Sequence, residues 1–230
     1  MVEVIGHRGA AQVCTENTLA SFRRGMDDGA AAIELDVQRS RDGHLVLIHD
    51  AAVDRVAVAG RTTGAVAELT WAQLQEVELE GGQRIPDLAS ALELIDIPME
   101  VEIKARAAAA PTAQMVLARG AGTRVTMTSF DVESLRIVHA AAPQLPLGVI
   151  SHEPTPAALD AVRELSARVL ALKIAHLDAP LVRRLQGEGV LVGGWAVRSW
   201  EDLRLAVAAG VDRVTADDPG WCREALATLV

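Results

Sequence analysis

Short apolar segments alternate with helical segments along most of this chain, and this alternation constrains the fold more than any other feature. Once a hairpin after the second segment is set aside, there are eight predicted strands, each followed by a helix. Repeated β-α units with apolar strands predict a parallel sheet, and eight units fit a closed (β/α)₈ TIM barrel. The alternative is an open, doubly wound sheet, but GHRGAA after the first strand is not the glycine-rich dinucleotide fingerprint. The predicted strands are 2–6, 31–37, 99–104, 124–129, 147–150, 169–174, 190–196 and 211–215, and a predicted helix at 112–119 lies between two of them.

The chain length of 230 residues suits a barrel that forms a single domain over 1–230. Half of the residues are apolar, aromatic residues are scarce and Tyr is absent. This composition favours helices packed on β-branched strands over an all-β sandwich. Residues 51–84 break the alternation, because they are irregular and glycine-rich with one predicted helix near 71–77. We interpret them as a small insertion after the hairpin of the second strand.

The charge and the cysteine content narrow the class of protein. The formal net charge is −9 and no basic stripe is present, so nucleic acid is not an expected partner. Cys14 and Cys222 lie near opposite ends of the chain and are interpreted as free thiols in a reducing compartment. The sequence shows no signal peptide and no apolar run of transmembrane length. We therefore expect a cytoplasmic protein without stable membrane insertion, and the oligomeric state stays open.

The segment IELDVQRSRDGHLVLIHD places two acids on an apolar strand. Glu34 and Asp36 point to the same face, because side chains two apart in a strand share a side. Asp42-Gly43 predicts a two-residue hairpin turn, and counting back from it places Asp36 opposite His49. One interpretation is a polar surface hairpin. Acids are seldom buried without partners, however, so we favour a functional site.

Polar residues recur at the carboxyl ends of the predicted strands, where the active sites of such barrels lie. They are His7 and Arg8, Glu34 and Asp36, Glu102 and Lys104, and later Ser129, Lys173, Trp195 and Asp217. Glu100 shares a face with Glu102 but lies nearer the start of its strand. Glu100 is therefore the weaker site candidate, and the alternative is a residue paired in the interior.

Glu34, Asp36 and Glu102 on neighbouring strands would repel one another unless a cation neutralised them. Oxygen ligands alone favour Mg²⁺ or Ca²⁺ over Zn²⁺. Arg8 and Lys104 beside such a metal would form an electrostatic clamp for a phosphoryl group. His7 and His49 would then serve as general acid and base, since imidazole titrates near neutral pH.

Two further residues each allow two interpretations. Glu16 either caps the helix that it precedes or orients a histidine or Arg8. Trp195 either lies in the core or forms the apolar wall of a substrate pocket. The remaining histidines are interpreted as surface or packing residues; they are His44, His139, His152 and His176.

These motifs together resemble the glycerophosphodiester phosphodiesterase family. The matching segments are GHRGA, ENT, IELDV with the following DG and HD, IPDL, VEIK, TSF and GVDRVTADDP, and they extend over essentially the whole chain. The resemblance implies a (β/α)₈ barrel with a small insertion after HD. It also implies a phosphodiesterase that splits a small-molecule glycerophosphodiester into glycerol 3-phosphate and an alcohol.

Carried onto this chain, the resemblance implies a role for each residue of the set. His7 and His49 would be the acid-base pair, and Arg8 would bind the phosphate with Lys104 nearby. Glu16 and Trp195 are the further substrate-binding candidates. The metal ligands would be Glu34, Asp36 and Glu102, with Mg²⁺ or Ca²⁺ as the cofactor. The assignment of acid and base, and the choice between water and a glycerol hydroxyl as the attacking group, stay open.

The chain departs from the family pattern at two places, and the motifs can be compared with what three other functions would require. Trp195-Ala196-Val197-Arg198 stands where the family shows W-T-V-N, and Ala216 stands in place of a threonine. One alternative is a related phosphodiesterase acting on lipid head groups, such as a lysophospholipase D-like or sphingomyelinase D-like enzyme. A non-catalytic phosphate-binding barrel would be expected to lack part of the set, whereas all of it is present here. A metal-dependent amidohydrolase would need an H-x-H pair on the first strand, but Arg8 and Gly9 follow His7.

Overall fold

A computed structural model describes residues 2–58 and 63–229 and shows a closed barrel of eight parallel strands. Around the barrel the order is β1, β2, β4, β5, β6, β7, β8 and β9, and β9 pairs back with β1. One further strand, β3, lies outside the barrel and pairs antiparallel with β2. The single-domain TIM barrel is confirmed. The strands are β1 Glu3–Gly6, β2 Ala32–Arg39, β3 Leu45–Leu47, β4 Met99–Ile103, β5 Val125–Ser129, β6 Leu147–Ser151, β7 Val169–Lys173, β8 Leu191–Val197 and β9 Arg213–Ala216.

Helices surround the barrel and return the chain from one strand to the next. Within the described ranges, no helix has the length and apolar character that crossing a membrane requires. One short helix, α2, belongs to the insertion rather than to the ring. The helices are α1 Leu19–Asp27, α2 Trp71–Gln75, α3 Leu88–Leu94, α4 Arg106–Ala118, α5 Val132–Ala141, α6 Pro156–Glu164, α7 Ala179–Gly187, α8 Trp200–Ala209 and α9 Pro219–Leu229.

The predicted start of the helix at 112–119 was wrong, because α4 begins earlier, at Arg106. Pro111 lies inside the helix, although proline removes one backbone hydrogen bond there. The alanines before Pro111 have the highest helix propensity of any residue, and several of them pack into the core. Tertiary packing and propensity together outweigh the lost hydrogen bond.

The insertion has its own apolar cluster, which it shares with the hairpin arm formed by β2 and β3. The cluster consists of Val46, Ile48, Val53, Val66, Leu74, Val77, Leu79 and Ile85. Because β3 contributes Val46 to it, the insertion packs directly against the arm. Residues 59–62 of the predicted insertion lie outside the described residues.

The predicted register of the hairpin was wrong by one residue. The observed pairs are Val37 with Leu47, Gln38 with Val46, and Arg39 with Leu45. Ser40 therefore faces His44, and three residues form the loop instead of two. Gly43 adopts a φ of 93°, which suits a three-residue loop with a left-handed glycine. The Ser40 hydroxyl accepts a hydrogen bond from the His44 backbone at 2.8 Å and closes the loop.

The new register places Asp36 opposite Ile48, whose backbone N–H donates to the Asp36 carbonyl at 3.1 Å. In a continuous strand this shift would turn His49 to the opposite face. Strand β3 ends at Leu47, however, and the chain bends after it. The bend, rather than strand pairing, brings His49 to the mouth of the barrel.

A close approach between α1 and the loop after β1 fixes the residues that follow His7 and Arg8. A Cβ atom built on Gly25 in α1 would lie 2.9 Å from the Gly9 carbonyl oxygen and 2.8 Å from Ile33 Cδ1. Both distances are shorter than any normal contact of a Cβ atom. Only glycine at residue 25 lets the helix pack this closely against the loop.

We predict that Gly25→Ala destabilises the protein by about 1–3 kcal/mol, because overpacking outweighs the gain of about 1 kcal/mol in helix propensity. Gly187 is the matched control, since it also lies in a helix but a Cβ there would meet nothing within 4 Å. Gly187→Ala should stabilise by up to about 1 kcal/mol. Urea unfolding of the two variants measures both effects. A stabilised Gly25→Ala protein would contradict the packing argument.

Candidate active site

A cavity of about 370 Å³ opens at the carboxyl ends of the strands. It brings together most of the residues that the sequence predicted for a site. Asp36 is almost completely buried beside Glu102, its partner on the next strand, and Glu16 lies beside the cavity against Arg8. The predicted residues that line the cavity are His7, Arg8, Glu34, His49, Glu102, Lys104 and Trp195.

Three carboxylates form a buried cluster at this end of the barrel. Oxygen atoms of Glu34, Asp36 and Glu102 lie within 4.8 Å of one another. Burial and the neighbouring acids raise the pKa of Glu34 well above its usual range and raise that of Glu102 to about 7. Burial also raises the pKa of Asp36, but Arg8 and Lys104 outweigh it and bring the pKa below its usual value.

Two cations and one amide hold the Asp36 carboxylate in place. Arg8 Nε lies 3.2 Å from Asp36 Oδ2, and Lys104 Nζ lies 3.6 Å from Oδ1 and 2.8 Å from Glu102 Oε1. The Asn17 side chain donates to Asp36 Oδ2 at 2.8 Å and accepts from the Asp36 backbone at 3.1 Å. Asn17 had no predicted role, although it is the central residue of the ENT motif.

The oxygen atoms of the three carboxyl groups suit a hard divalent cation as ligands. Asp36 Oδ1 is buried and makes no hydrogen bond with any described residue. Two neighbouring carboxyl groups, Glu34 and Glu102, have raised pKa values that a cation would lower. Carboxylate oxygens are the ligands that Mg²⁺ and Ca²⁺ prefer. The cluster thus has the chemistry of a metal site.

His7 is held by a carboxylate from the opposite end of the chain. Its Nδ1 is hydrogen-bonded to Asp217, and its Nε2 lies 4.0 Å from Glu34 Oε2. Asp217 also accepts a hydrogen bond of 2.5 Å from Arg198 Nε. Although burial raises the pKa of Asp217, His7 and Arg198 lower it to about 2. The sequence placed Asp217 at a strand end without giving it a role.

His49 is tied to Arg8 by a continuous chain of ion pairs. The Nδ1 atom of His49 lies 2.6 Å from Asp50 Oδ1, and Asp50 Oδ2 accepts from Arg55 Nε at 2.5 Å. Arg55 also binds the Glu16 carboxylate at 2.6 and 3.1 Å, and Glu16 accepts from Arg8 at 2.9 Å. One arginine of the insertion therefore connects the loop of Arg8 with the bend that carries His49. Burial lowers the pKa of His49, which favours a neutral ring near pH 7.

The hydrogen bonds of Glu16 and Thr18 decide between the two interpretations of Glu16. The cap of α1 is Thr18, whose hydroxyl accepts a hydrogen bond from the Ser21 backbone at 3.1 Å. Both oxygens of Glu16 are bound by arginines instead. Glu16 therefore orients Arg8 and does not cap the helix.

Three aromatic rings form one wall of the cavity. The rings of Phe130, His152 and Trp195 lie with centroids 5.2–5.3 Å apart, and Lys104 Nζ lies 5.7 Å from the Phe130 centroid. Trp195 thus takes the pocket-wall position rather than a core position. His152, interpreted from the sequence as a surface or packing residue, is exposed and packs against Phe130 and Trp195 at the cavity. It directly follows strand β6, so its position at a strand end was the available signal.

Glu100 is buried in the barrel interior and also lines the cavity, below Glu102 on the same strand. Its Oε1 pairs with Arg213 Nη1 at 2.8 Å, and Arg213 also binds Glu3 at 2.8 Å. His44 lies at the exposed turn of the hairpin, where its ring stacks on Trp71.

Comparison with known proteins agrees with this geometry. The sequence model of the glycerophosphoryl diester phosphodiesterase family matches residues 7–221. A glycerophosphodiester phosphodiesterase of Caldanaerobacter subterraneus subsp. tengcongensis is 35% identical over 94% of each chain. The chain belongs to the glycerophosphoryl diester phosphodiesterase family. It is therefore a hydrolase that acts on glycerophosphodiesters.

Solved structures support the fold of this family member. A phosphodiesterase of Oleispira antarctica, solved with the product sn-glycerol-3-phosphate, superposes with a TM-score of 0.89 at 22% identity, covering 98% of this chain and 96% of that one. A glycerophosphodiester phosphodiesterase of Agrobacterium tumefaciens gives 0.84 at 23% identity, covering 97% and 100%. The barrel is shared over essentially its whole length.

We predict a pH-dependent contribution of Asp217 to the stability of this phosphodiesterase. Its folded pKa of about 2 lies below the unfolded value, so its contribution is present above about pH 4 and is lost as the pH falls toward 2. Asp217→Asn should lower the free energy of unfolding at pH 7 by about 1–2 kcal/mol and flatten its dependence between pH 4 and 2. Denaturant unfolding at several pH values measures this. Asp160→Asn, at a largely exposed carboxylate, is the control; equal curves for both variants would contradict the assignment.

Proposed function

We propose that the protein cleaves glycerophosphodiesters to glycerol 3-phosphate and an alcohol, with His7 and His49 as the acid-base pair and a divalent cation on Glu34, Asp36 and Glu102. One observation carries the proposal. Two histidines, each hydrogen-bonded to its own aspartate, line the same cavity as the carboxylate cluster and two fixed cations. General acid, general base and phosphate ligands thus lie around one space.

The phosphate of the substrate would lie between Arg8 and Lys104. Arg8 has a planar fork that suits a phosphate, and Glu16 and Asp36 hold it in a fixed orientation. Lys104, directly after β4, adds a second positive charge. Their combined charge would stabilise the negative charge that develops on the phosphoryl oxygens.

The two histidines share one feature, an aspartate at Nδ1, which suits an exchange of roles. Asp217 and Asp50 each bind the Nδ1 atom of their histidine, so each Nδ1 carries a proton and each Nε2 is left for the substrate. One ring protonates the leaving alkoxide, and the other accepts the proton of the attacking water or glycerol hydroxyl. A positioned imidazole contributes typically about 10²- to 10⁴-fold to such a step.

The cation would be Mg²⁺ or Ca²⁺, which oxygen-only ligands favour. When bound, it supplies Lewis-acid stabilisation of a phosphoryl oxygen. It would also keep Glu34 and Glu102 ionised, because a positive charge lowers the raised pKa values of both groups.

The substrate would be a small molecule, since the cavity of about 370 Å³ lies in the range of small-ligand sites. The Oleispira antarctica relative is solved with sn-glycerol-3-phosphate, which supports the same product here. The net charge of −9 disfavours nucleic acid as a partner. Free thiols at Cys14 and Cys222 support a cytoplasmic location.

We predict that chelation stops turnover. Purified protein should release glycerol 3-phosphate from glycerophosphocholine and glycerophosphoethanolamine, because the cluster can hold the activating cation. EDTA should abolish this release, and Mg²⁺ or Ca²⁺ should restore it. An enzyme-coupled assay of glycerol 3-phosphate measures the effect, and a choline assay with lysophosphatidylcholine, which would give lysophosphatidate and choline, runs in parallel. Hydrolysis that persists unchanged in EDTA would refute the metal assignment.

We predict that His7→Ala and His49→Ala each lower kcat by about 10²- to 10⁴-fold, since each removes one proton-transfer group. His44→Ala is the matched control, because His44 belongs to the same hairpin arm as His49 but lies at its exposed turn. It should keep the activity of the parent protein. Full activity in His49→Ala would refute the role of the bend after β3.

A further inference from the structure

A second cavity lies beside the first and has a different chemical character. Its volume is about 350 Å³, and polar side chains form most of its lining. It shares His7, Arg8 and Arg198 with the first cavity, so the two meet at the proposed phosphate and proton-transfer groups. A diester held by Arg8 therefore has space on both sides of its phosphorus. The remaining lining residues of the second cavity are Ala11, Gln12, Glu16 and Asp217.

Hydrogen-bond donors outnumber acceptors on the wall of this second cavity. Glu16 is bound by arginines, and Asp217 accepts from His7 and from Arg198 Nε. The two terminal amino groups of Arg198 have no hydrogen bond or ion pair with any residue in 2–58 or 63–229. The same holds for the side-chain amide of Gln12. The free groups thus favour a ligand that supplies acceptors, and an anion above all.

The guanidinium of Arg198 is hydrogen-bonded through Nε, whereas its two terminal amino groups, unbonded to any described residue, are free to bind a ligand. Its Nε donates to Asp217 Oδ2 at 2.5 Å, and its backbone N–H donates to Asp202 at 3.1 Å. The Asp217 charge is shared with His7 on the other oxygen. Because the side chain is 62% exposed, the free amino groups remain accessible from the cavities that it lines. Two parallel N–H groups of an arginine match a carboxylate or a phosphate.

We propose that Arg198 selects glycerophosphodiesters whose leaving alcohol carries a further anionic group, which the guanidinium binds in the second cavity. The inference rests on the proposed function, because it assumes that Arg8 and Lys104 hold the phosphodiester. It assigns the first cavity, with its aromatic wall, to the glycerol side. The polar second cavity takes the head group.

Glycerophosphoserine and glycerophosphoethanolamine form the test pair, because their head groups differ by one carboxylate. The parent protein should show a kcat/KM about fivefold higher for the serine compound, as expected for one partly exposed ion pair. Arg198→Gln should bring this ratio to about one. Loss of the contact with Asp217 would change the rate for both substrates alike, so the ratio isolates the recognition of the carboxylate. Arg204→Gln is the matched control, since Arg204 lies on α8 over the Trp200 ring and lines neither cavity.

The possible results distinguish a failure of the inference from a failure of the proposed function. A ratio that falls in Arg198→Gln and stays high in Arg204→Gln supports the inference. Hydrolysis of both substrates with a ratio near one in the parent protein, or with a ratio that Arg198→Gln leaves unchanged, overturns the inference and leaves the proposed function intact. No hydrolysis of either substrate in the presence of Mg²⁺ or Ca²⁺ overturns the proposed function itself.

Discussion

Mutual repulsion among three buried carboxylates is the constraint on which the rest of this site depends. Two charges about 4.8 Å apart repel by about 3–4 kcal/mol at an effective dielectric constant of about 20. An exposed ion pair stabilises by only about 0–1 kcal/mol, so surface charges could not offset such a cluster. Arg8 and Lys104 are partly buried beside the acids and lower the pKa of Asp36. Glu34 and Glu102 keep raised pKa values, and a divalent cation is the group that would ionise all three.

The insertion contributes to the candidate active site through Arg55. Its Arg55 binds Asp50 and Glu16 together, and these two acids hold His49 and Arg8. His49, the proposed proton-transfer group outside the barrel, is thereby fixed relative to Arg8, the proposed phosphate ligand on the first barrel loop. His7 gains a similar support from Asp217 at the end of the last strand. The first and last strands pair with each other, so closure of the barrel creates that contact.

In the inferred binding mode, the two cavities would take opposite sides of the substrate. Phe130, His152 and Trp195 form a wall of the first cavity, whereas the second is lined mostly by polar groups. Arg198 stands where the two cavities meet. It is also one of the two residues, with Ala196, at which the sequence departs from the W-T-V-N pattern. A change at this position alters the charge next to the proposed leaving group without touching the carboxylate cluster.

By itself the sequence determined the barrel and the identity of most groups in the site. Alternating apolar strands and helices depend on local patterns, and strand ends meet at one mouth in any parallel barrel, so strand position alone groups Glu34, Asp36, Glu102 and Lys104. Only the tertiary structure decided the hairpin register, because a left-handed Gly43 serves a two- or a three-residue loop equally well. It alone paired His7 with Asp217 and joined His49 to Arg8 through Arg55, since those contacts link segments distant in sequence. Such pairings arise from three-dimensional packing, which local propensity does not encode.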